Sequence, residues 1–177
     1  MDSQVNNTVS YMPVHGLTFM DEGEPDQITE VPRFINNTSL DTRLLIIGNL
    51  VNWDAAFSSM PQFEKRLTKF IDLLSFCLAL FPVQPMLIVR TGMYHCCNSD
   101  RDDRWYSRLR LKMFNEYLVF RFRKAFPQVK VWDPSLLGEA RPIAAQRRQV
   151  DRCHANRFES WTVEADLNVL LNIICNA

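Results

Sequence analysis

Short apolar runs alternate with longer amphipathic stretches along the chain. Three runs are almost continuously apolar, which is typical of parallel strands covered on both faces. They span residues 43–50, 86–89 and 129–132. Three longer stretches place apolar residues three and four positions apart, which predicts helices. They span residues 63–81, 105–126 and 160–175. This order of strand, helix, strand, helix, strand and helix predicts an α/β fold with a parallel sheet.

The ends and faces of these elements follow from individual residues. Pro61 suits the start of the first helix, and Pro82 stops it. The run from Arg43 to Leu50 is the clearest strand, and its continuous apolar character predicts a central position in the sheet. In the last helix one apolar stripe is predicted to be buried, and it consists of Leu167, Leu170, Leu171 and Ile174.

Two parts of different composition divide the chain. Residues 1–40 are polar and turn-rich, and they contain one partial strand at 9–14, which Pro13 confines to a sheet edge. Residues 41–177 hold all the strongly periodic segments. Because 177 residues are too few for two comfortable domains, we expect an N-terminal segment followed by a single domain.

Composition and charge exclude several classes of protein. The apolar fraction of 47% and the charged fraction of 23% are ordinary for a globular protein. The formal net charge is zero, so the chain as a whole has no electrostatic attraction to nucleic acid. The basic stretch 104–124 is interleaved with apolar residues, as in the solvated face of a helix. The apolar run 73–83 is too short to cross a bilayer, which takes about 20 residues. We therefore expect no nucleic-acid partner and no transmembrane segment.

Cysteines and glycosylation sequons favour a secretory environment. Cys77 lies in an apolar helix and is predicted to be buried and free. Two crosslinks are possible among the other four cysteines, which are Cys96, Cys97, Cys153 and Cys175. Sequons begin at Asn6, Asn36 and Asn37. The N-terminus lacks the basic and apolar regions of a signal peptide. Secretion, or residence in the lumen of the ER or Golgi, is therefore expected if the chain is part of a longer precursor.

The strongest candidate for chemistry is the tetrad Asp151-Arg152-Cys153-His154. A carboxylate three residues before a histidine can hold one imidazole nitrogen and leave the other free to take a proton from a nucleophile. In a parallel sheet this pair is expected to meet the polar residues that follow the strands, because ligands bind at the carboxyl ends. Those residues are Gly48, Asn49, Asn52, the loop around His95, and Asp133.

Other interpretations of the tetrad remain open. A zinc site could use Cys153, His154, His95, Cys96 and Cys97, although adjacent cysteines do not match the paired spacings of zinc ligands. Cys153 could be a nucleophile beside His154, although neighbours in a loop rarely point at each other. His154 could also be purely structural. Neither a glycine-rich phosphate loop nor a G-x-S-x-G elbow occurs, and we expect no cofactor.

Taken in order, these segments resemble the later part of an SGNH/GDSL-type hydrolase, and more closely the PC-esterase branch with the neurexophilin and PC-esterase domain proteins. The resemblance covers nearly the whole chain from about residue 9. It is carried by Val14-His15-Gly16-Leu17, Leu45-Ile46-Ile47-Gly48, Phe57 through Pro61-Gln62-Phe63 with Arg66-Leu67, Ile88-Val89-Arg90-Thr91, Val131-Trp132-Asp133, Asp151-Arg152-Cys153-His154 and Val169 through Cys175. It implies a three-layer, SGNH-like parallel sheet flanked by helices and lacking its first strand.

The resemblance also implies an activity, which is the removal of O-acyl groups from a glycan or a similar secreted substrate. His154 would be the general base and Asp151 its orienter. Gly48, Asn49 and Asn52 would lie at the oxyanion and substrate edge. No metal is needed for such a mechanism.

Two departures from the family pattern put this activity in doubt. The family's nucleophile is the serine of a Gly-Asp-Ser motif, which this sequence lacks, and Met1-Asp2-Ser3 matches only the last two letters. Leu50 stands where the family usually has Asn or His as an oxyanion donor. We therefore expect either an incomplete esterase domain or a non-catalytic binding or structural protein on the same fold.

Overall fold

The computed structural model describes the residues that carry the predicted sheet and its main helices. The described residues are 17, 32–35, 37, 41–48, 50–93, 107–135, 137 and 160–176. The predicted strand at 9–14 and the tetrad at 151–154 lie outside them, as do Asn49 and the loop with His95, Cys96 and Cys97.

From residue 44 onward, the strands and helices of the described residues follow one another in the predicted order. They are β1 (Leu44–Ile47), α1 (Asn52–Phe57), α2 (Met60–Leu78), β2 (Met86–Arg90), α3 (Arg108–Ala125), β3 (Lys130–Trp132) and α4 (Ser160–Cys175). The α/β class is confirmed. Of these, only α1 has no counterpart among the predicted elements, because six residues are too short to show a helical period.

The sheet is parallel and open, and β2 lies between β1 and β3. Ile46 pairs with Ile88 in the first ladder, and Ile88 pairs with Lys130 in the second. The prediction that the first strand is central is wrong for the described sheet, where β1 is at an edge. Its residues are only partly covered, and Ile46 is 40% exposed. A continuous apolar run indicates that the faces of a strand are shielded, but it does not reveal the strand's lateral neighbours.

The main core lies between α2, α3 and one face of the sheet. Alternate strand residues reach it, namely Leu45, Ile47, Leu87, Val89 and Val131. Across the two helices, Phe63 packs on Phe114 with 4.8 Å between ring centroids, and Phe70 lies near Phe122 at 6.5 Å. The apolar residues of α2 that stand three and four positions apart are buried, as the helical spacing of 63–81 indicates; they are Phe63, Leu67, Phe70, Ile71, Leu74 and Leu78.

The start of α2 is built from three neighbouring residues. The Ser59 side chain accepts from the backbone N–H of Gln62, and the Gln62 side chain accepts from the backbone N–H of Ser59. Pro61 sits in the first turn, where a missing N–H costs no hydrogen bond. This reciprocal capping satisfies two backbone donors. The position of Pro61 confirms that it marks the start of the helix.

The second face of the sheet is joined to α4 through one buried carboxylate. Asp166 accepts hydrogen bonds from Arg90 Nη2 at 2.8 Å and from Trp132 Nε1 at 2.7 Å. The Arg90 guanidinium also lies 4.7 Å from the centroid of the Trp132 ring. One charged residue of a largely apolar helix therefore decides which side of that helix faces the sheet.

The stripe predicted to be buried in α4 is not the side that meets the sheet. Leu167 and Leu171 are 48% and 53% exposed, and Leu170 and Ile174 are half-buried. Val169 and Ile173, three and seven positions after Asp166, instead line a groove against Lys130 and Val131 of β3. Because α4 is apolar on most sides, its periodicity could not distinguish between the two faces. No described helix has the length and apolar character needed to cross a membrane.

A buried ion pair links α1 to α2. Arg66 Nη1 lies 3.0 Å from Asp54 Oδ1, and the two side chains are 7% and 0% exposed. Ser58 Oγ donates to the same carboxylate oxygen at 2.9 Å, and Arg66 Nη1 also donates to Ser58 Oγ at 2.6 Å. Buried charges are tolerated when they are paired and hydrogen-bonded in this way.

Replacing Arg66 with methionine should strongly destabilise the protein, because it leaves the buried carboxylate of Asp54 without its guanidinium. We expect a loss of about 3–5 kcal/mol in the free energy of unfolding, measured by urea denaturation. The neighbouring Lys65→Met variant is the control, since Lys65 is exposed and its loss should change stability by less than about 0.5 kcal/mol. Equal stabilities for the two variants would show that the pair contributes nothing.

Two described cysteines differ in their accessibility. Cys77 faces the core, is 1% exposed and is free, as predicted, and burial raises the pKa of its thiol. Cys175 is exposed near the end of α4 and is also free, and the three cysteines considered as its partners lie outside the described residues.

Alkylation should therefore separate these two thiols. The thiolate is the reactive form, and a raised pKa keeps Cys77 protonated to higher pH. We expect iodoacetamide to modify Cys175 in the folded protein and to reach Cys77 only after urea is added, as read by peptide mass mapping. Modification of both at one rate without urea would contradict the buried position of Cys77.

Candidate functional site

The carboxyl ends of the three strands lie at one edge of the sheet, and two of them are joined by side chains. Thr91 follows β2 and donates its hydroxyl to Asp133 Oδ1, beyond β3, at 2.6 Å. The backbone N–H of Ser135 donates to the same oxygen at 3.0 Å. Asp133 is therefore held in place by two donors at the edge where the sequence predicted polar residues to meet.

The next residue, Gly92, is clamped by an asparagine from α3. The backbone N–H of Gly92 donates to Asn115 Oδ1, and Asn115 Nδ2 donates to the carbonyl oxygen of Gly92, both at 2.8 Å. These bonds satisfy both backbone polar groups of a buried residue just past the end of β2. The Asn115 side chain thereby provides, just beyond the end of β2, the two hydrogen bonds that a neighbouring strand would otherwise provide.

Asn52 approaches the same glycine from the start of α1. A Cβ atom placed on Gly92 would lie 2.3 Å from Asn52 Oδ1, 3.0 Å from Leu111 Cδ1 and 3.3 Å from Asn115 Oδ1. A Cβ atom would displace Asn52 and crowd Leu111, so glycine is favoured by the close approach of α1, β2 and α3. The oxygen of the Asn52 amide is itself buried.

Gly48 and Asn52, two of the predicted site residues, flank the end of β2. Gly48 is half-buried and lies against Arg90, with 3.6 Å from its ideal Cβ position to Arg90 Cβ. Asn52 lies against Gly92, two residues further along. Leu50 is 1% exposed and belongs to the core, so it offers no polar group to the site. Asp151, His154 and Asn49 lie outside the described residues, and their roles remain predictions.

The position of α1 is set by two arginines from other helices. Arg66 of α2 holds Asp54, as described above. Arg110 of α3 donates through Nε to the carbonyl oxygen of Ala55 and through Nη2 to that of Ser58. Both carbonyls belong to the last turn of α1 and the residue after it, where no helical donor is available. These two arginines therefore fix the position of the helix that begins with Asn52.

Sequence reasoning missed Asn115 and Arg110, although a signal for one of them was present. Asn115 is four residues after Leu111 and one after Phe114, so it lies on the apolar stripe of its helix. A polar residue on a buried stripe indicates a buried hydrogen-bonding partner. Arg110 carried no such signal, because it stands among several cations. Among the described residues, no three His, Cys, Asp or Glu side chains are grouped to hold a metal ion, and the zinc ligands considered lie outside them.

Adding one methyl group at Gly92 should disturb this site more than adding one at Gly48. Gly92→Ala places Cβ in contact with Asn52, and overpacking of this kind costs about 1–3 kcal/mol of stability. Gly48→Ala meets only ordinary contacts, so its effect should stay within about 1 kcal/mol. Chemical denaturation of both variants measures the difference.

A double variant tests the physical cause. The cost of Gly92→Ala should shrink when Asn52 is also replaced by alanine, because the closest contact is then removed. A cost that is unchanged in the Asn52→Ala background would mean that Leu111 or Asn115, and not Asn52, sets the limit.

Comparisons with known proteins do not identify the chain. No protein-family model matches it, and no match was found among curated proteins or among solved structures. We therefore infer its function from its own residues, and above all from the polar contact that joins the ends of β2 and β3.

Proposed function

We propose that this chain is the C-terminal part of an SGNH-type, PC-esterase-like domain, related to enzymes that remove O-acyl groups from glycans. One observation carries the proposal. Three parallel strands end at a single edge, where a hydrogen bond joins the ends of β2 and β3, and the chain that continues from the third strand contains Asp151 and His154. Ligands of open parallel sheets bind at that edge.

In this proposal the chain supplies the base side of a double-displacement mechanism. His154 takes the proton from a serine nucleophile, and Asp151 orients the imidazole and stabilises its charged form. The backbone N–H groups of Gly48 and Asn49, with Asn52 nearby, offer donors for the oxyanion. Such donors matter, because removal of one typically lowers the rate by about 10²–10³. The mechanism uses no metal and no organic cofactor.

The chain does not carry the nucleophile of this mechanism in the expected form. Gly-Asp-Ser does not occur in the sequence, and Met1-Asp2-Ser3 matches only its last two letters. The described sheet is consistent with a missing element beside β1, because β1 is at its edge and Ile46 is 40% exposed. We infer that the chain alone is hydrolytically silent.

A second candidate is a non-catalytic binding or structural protein on the same fold. Two observations favour it. Leu50 is buried in the core at the position where an oxyanion donor is usual, and the amide oxygen of Asn52 is packed against Gly92. In this alternative the polar strand ends hold the fold together, and Asp151 and His154 have no substrate.

The two candidates differ in what happens when a nucleophile is supplied. The purified chain should hydrolyse p-nitrophenyl acetate no faster than its His154→Ala variant, which also controls for surface reactivity. A fusion that adds a strand ending in Gly-Asp-Ser ahead of residue 41 should gain an activity that both Asp151→Asn and His154→Ala remove.

The outcomes separate the possibilities. Hydrolysis by the unmodified chain above the His154→Ala rate would show that another nucleophile already works with that base. A folded but inactive fusion, verified by circular dichroism, would favour the non-catalytic candidate.

A further inference from the structure

The end of α2 and the loop that follows it expose large apolar side chains. Phe76 is 68% exposed, Val83 is 55% exposed and Leu80 is 52% exposed. The residues around them are exposed as well, and none of them is charged. We call this surface the apolar tip, and it consists of Ser75, Phe76, Ala79, Leu80, Pro82, Val83 and Gln84.

The apolar tip is anchored to the body of the protein. Phe81, in the middle of it, is 6% exposed and belongs to the core. Gln84 Nε2 donates to the carbonyl oxygen of Leu78 at 2.9 Å and to that of Phe81 at 3.4 Å. A helix end leaves carbonyls of this kind without a helical donor. The exposed side chains therefore belong to a turn that packing and hydrogen bonds hold in place.

The outer side of α2 changes from charged to apolar within about one turn. Lys65, Lys69 and Asp72 are exposed, and Phe76 continues the same spacing of three and four residues. The sequence then has no charged residue until Arg90. Solvated helix faces normally carry charged and polar residues throughout, and an exposed apolar patch marks an interaction surface.

Cations surround the apolar tip at one edge of the sheet. Helices that connect parallel strands run opposite to them, so the carboxyl ends of α2 and α3 lie at the edge where the strands begin. We call this the amino edge. Its exposed charged residues are Arg43 before β1, Lys130 at the start of β3, Arg123 and Lys124 in the last turn of α3, and the acids Asp41 and Asp72.

The fold does not use these four cations. None of them forms an ion pair or a side-chain hydrogen bond within the described part of the chain. Arg123 and Lys124 interact favourably with the dipole of α3, but Arg43 and Lys130 are at strand starts, where no such dipole acts. An apolar centre with cations beside it is the pattern that peripheral proteins present to anionic bilayers.

A second copy of the chain matches this surface less well than a bilayer does. A stable protein–protein interface takes about 20–30 residues a side, whereas the apolar tip has seven exposed residues. Two copies joined through the tip would also bring their cations together, and like charges across an interface are unfavourable. Anionic headgroups instead complement the charge of the amino edge.

We propose that the apolar tip and the amino-edge cations dock the protein on the surface of an anionic phospholipid bilayer. Phe76, Leu80 and Val83 enter the boundary between headgroups and acyl chains, and the cations meet headgroup phosphates. The contact is peripheral and needs no helix that crosses the membrane. This inference goes beyond the proposed function, because it requires neither Asp151 nor His154.

Co-sedimentation of the full chain with lipid vesicles tests the proposal. Vesicles of phosphatidylcholine and phosphatidylserine should bind the chain saturably, and binding should weaken as the salt concentration rises. Phe76→Ser/Leu80→Ser should weaken binding about tenfold. The control Leu109→Ser/Met113→Ser removes two apolar side chains that are 69% and 50% exposed near the start of α3, and it should change binding by less than about twofold.

A second pair of variants tests the cations. Arg123→Gln/Lys124→Gln should weaken binding to the anionic vesicles about tenfold, because each cation near the surface contributes to the attraction. Lys65→Gln/Lys112→Gln makes the same change in net charge near the starts of α2 and α3, away from the amino edge, and should change binding by less than about twofold. Unfolding midpoints show whether each variant remains folded.

Four results would overturn the proposal. The first is the absence of saturable binding to the anionic vesicles at low salt. The second is undiminished binding of Phe76→Ser/Leu80→Ser, and the third is equal weakening by the two charge-removing variants, which would reduce the effect to net charge. The fourth is a dimer in sedimentation velocity without lipid that Phe76→Ser/Leu80→Ser dissociates, because the apolar tip would then bind a second copy.

Discussion

The close approach at Gly92 is the constraint on which the strand-end site depends. The start of α1, the end of β2 and the inner side of α3 meet there so closely that a Cβ atom would displace Asn52. Because Asn115 occupies both backbone polar groups of Gly92, the contact is held by directional bonds as well as by packing. Asn52 begins α1 and Thr91 precedes Gly92, so the positions of both depend on this contact, and Thr91 in turn donates to Asp133.

Buried polar groups fix the orientation of the surrounding helices. Asp54 with Arg66 sets α1 against α2, and Asp166 with Arg90 and Trp132 sets α4 against the sheet. Apolar packing alone permits several rotations of a helix about its axis, whereas a buried carboxylate must reach its donors. We regard these groups as determinants of specificity, because a well-packed apolar replacement of a buried pair is often no less stable.

Large apolar side chains are exposed at several places on the described surface, including the sheet edge and α4. Ile46 at the sheet edge and Leu167 and Leu171 on α4 would each be expected to lie against another element. Under the function that we propose, a further strand beside β1 would cover Ile46.

Local patterns in the sequence determined the element types, their order and the parallel sheet. A two-residue repeat or a continuous apolar run differs clearly from a helical period, and residues such as Pro61 and Ser59 mark a helix start through their own backbone chemistry. The sequence also predicted that polar residues would follow the strands at one edge of the sheet, and that Cys77 would be buried.

Only the tertiary structure decided which face of α4 meets the sheet, which position β1 takes in the strand order, and which residues hold the strand ends together. Those outcomes depend on distances between residues far apart in the chain, such as Asn115 and Gly92 or Arg110 and Ala55. Periodicity records that a face is apolar, but not what covers it.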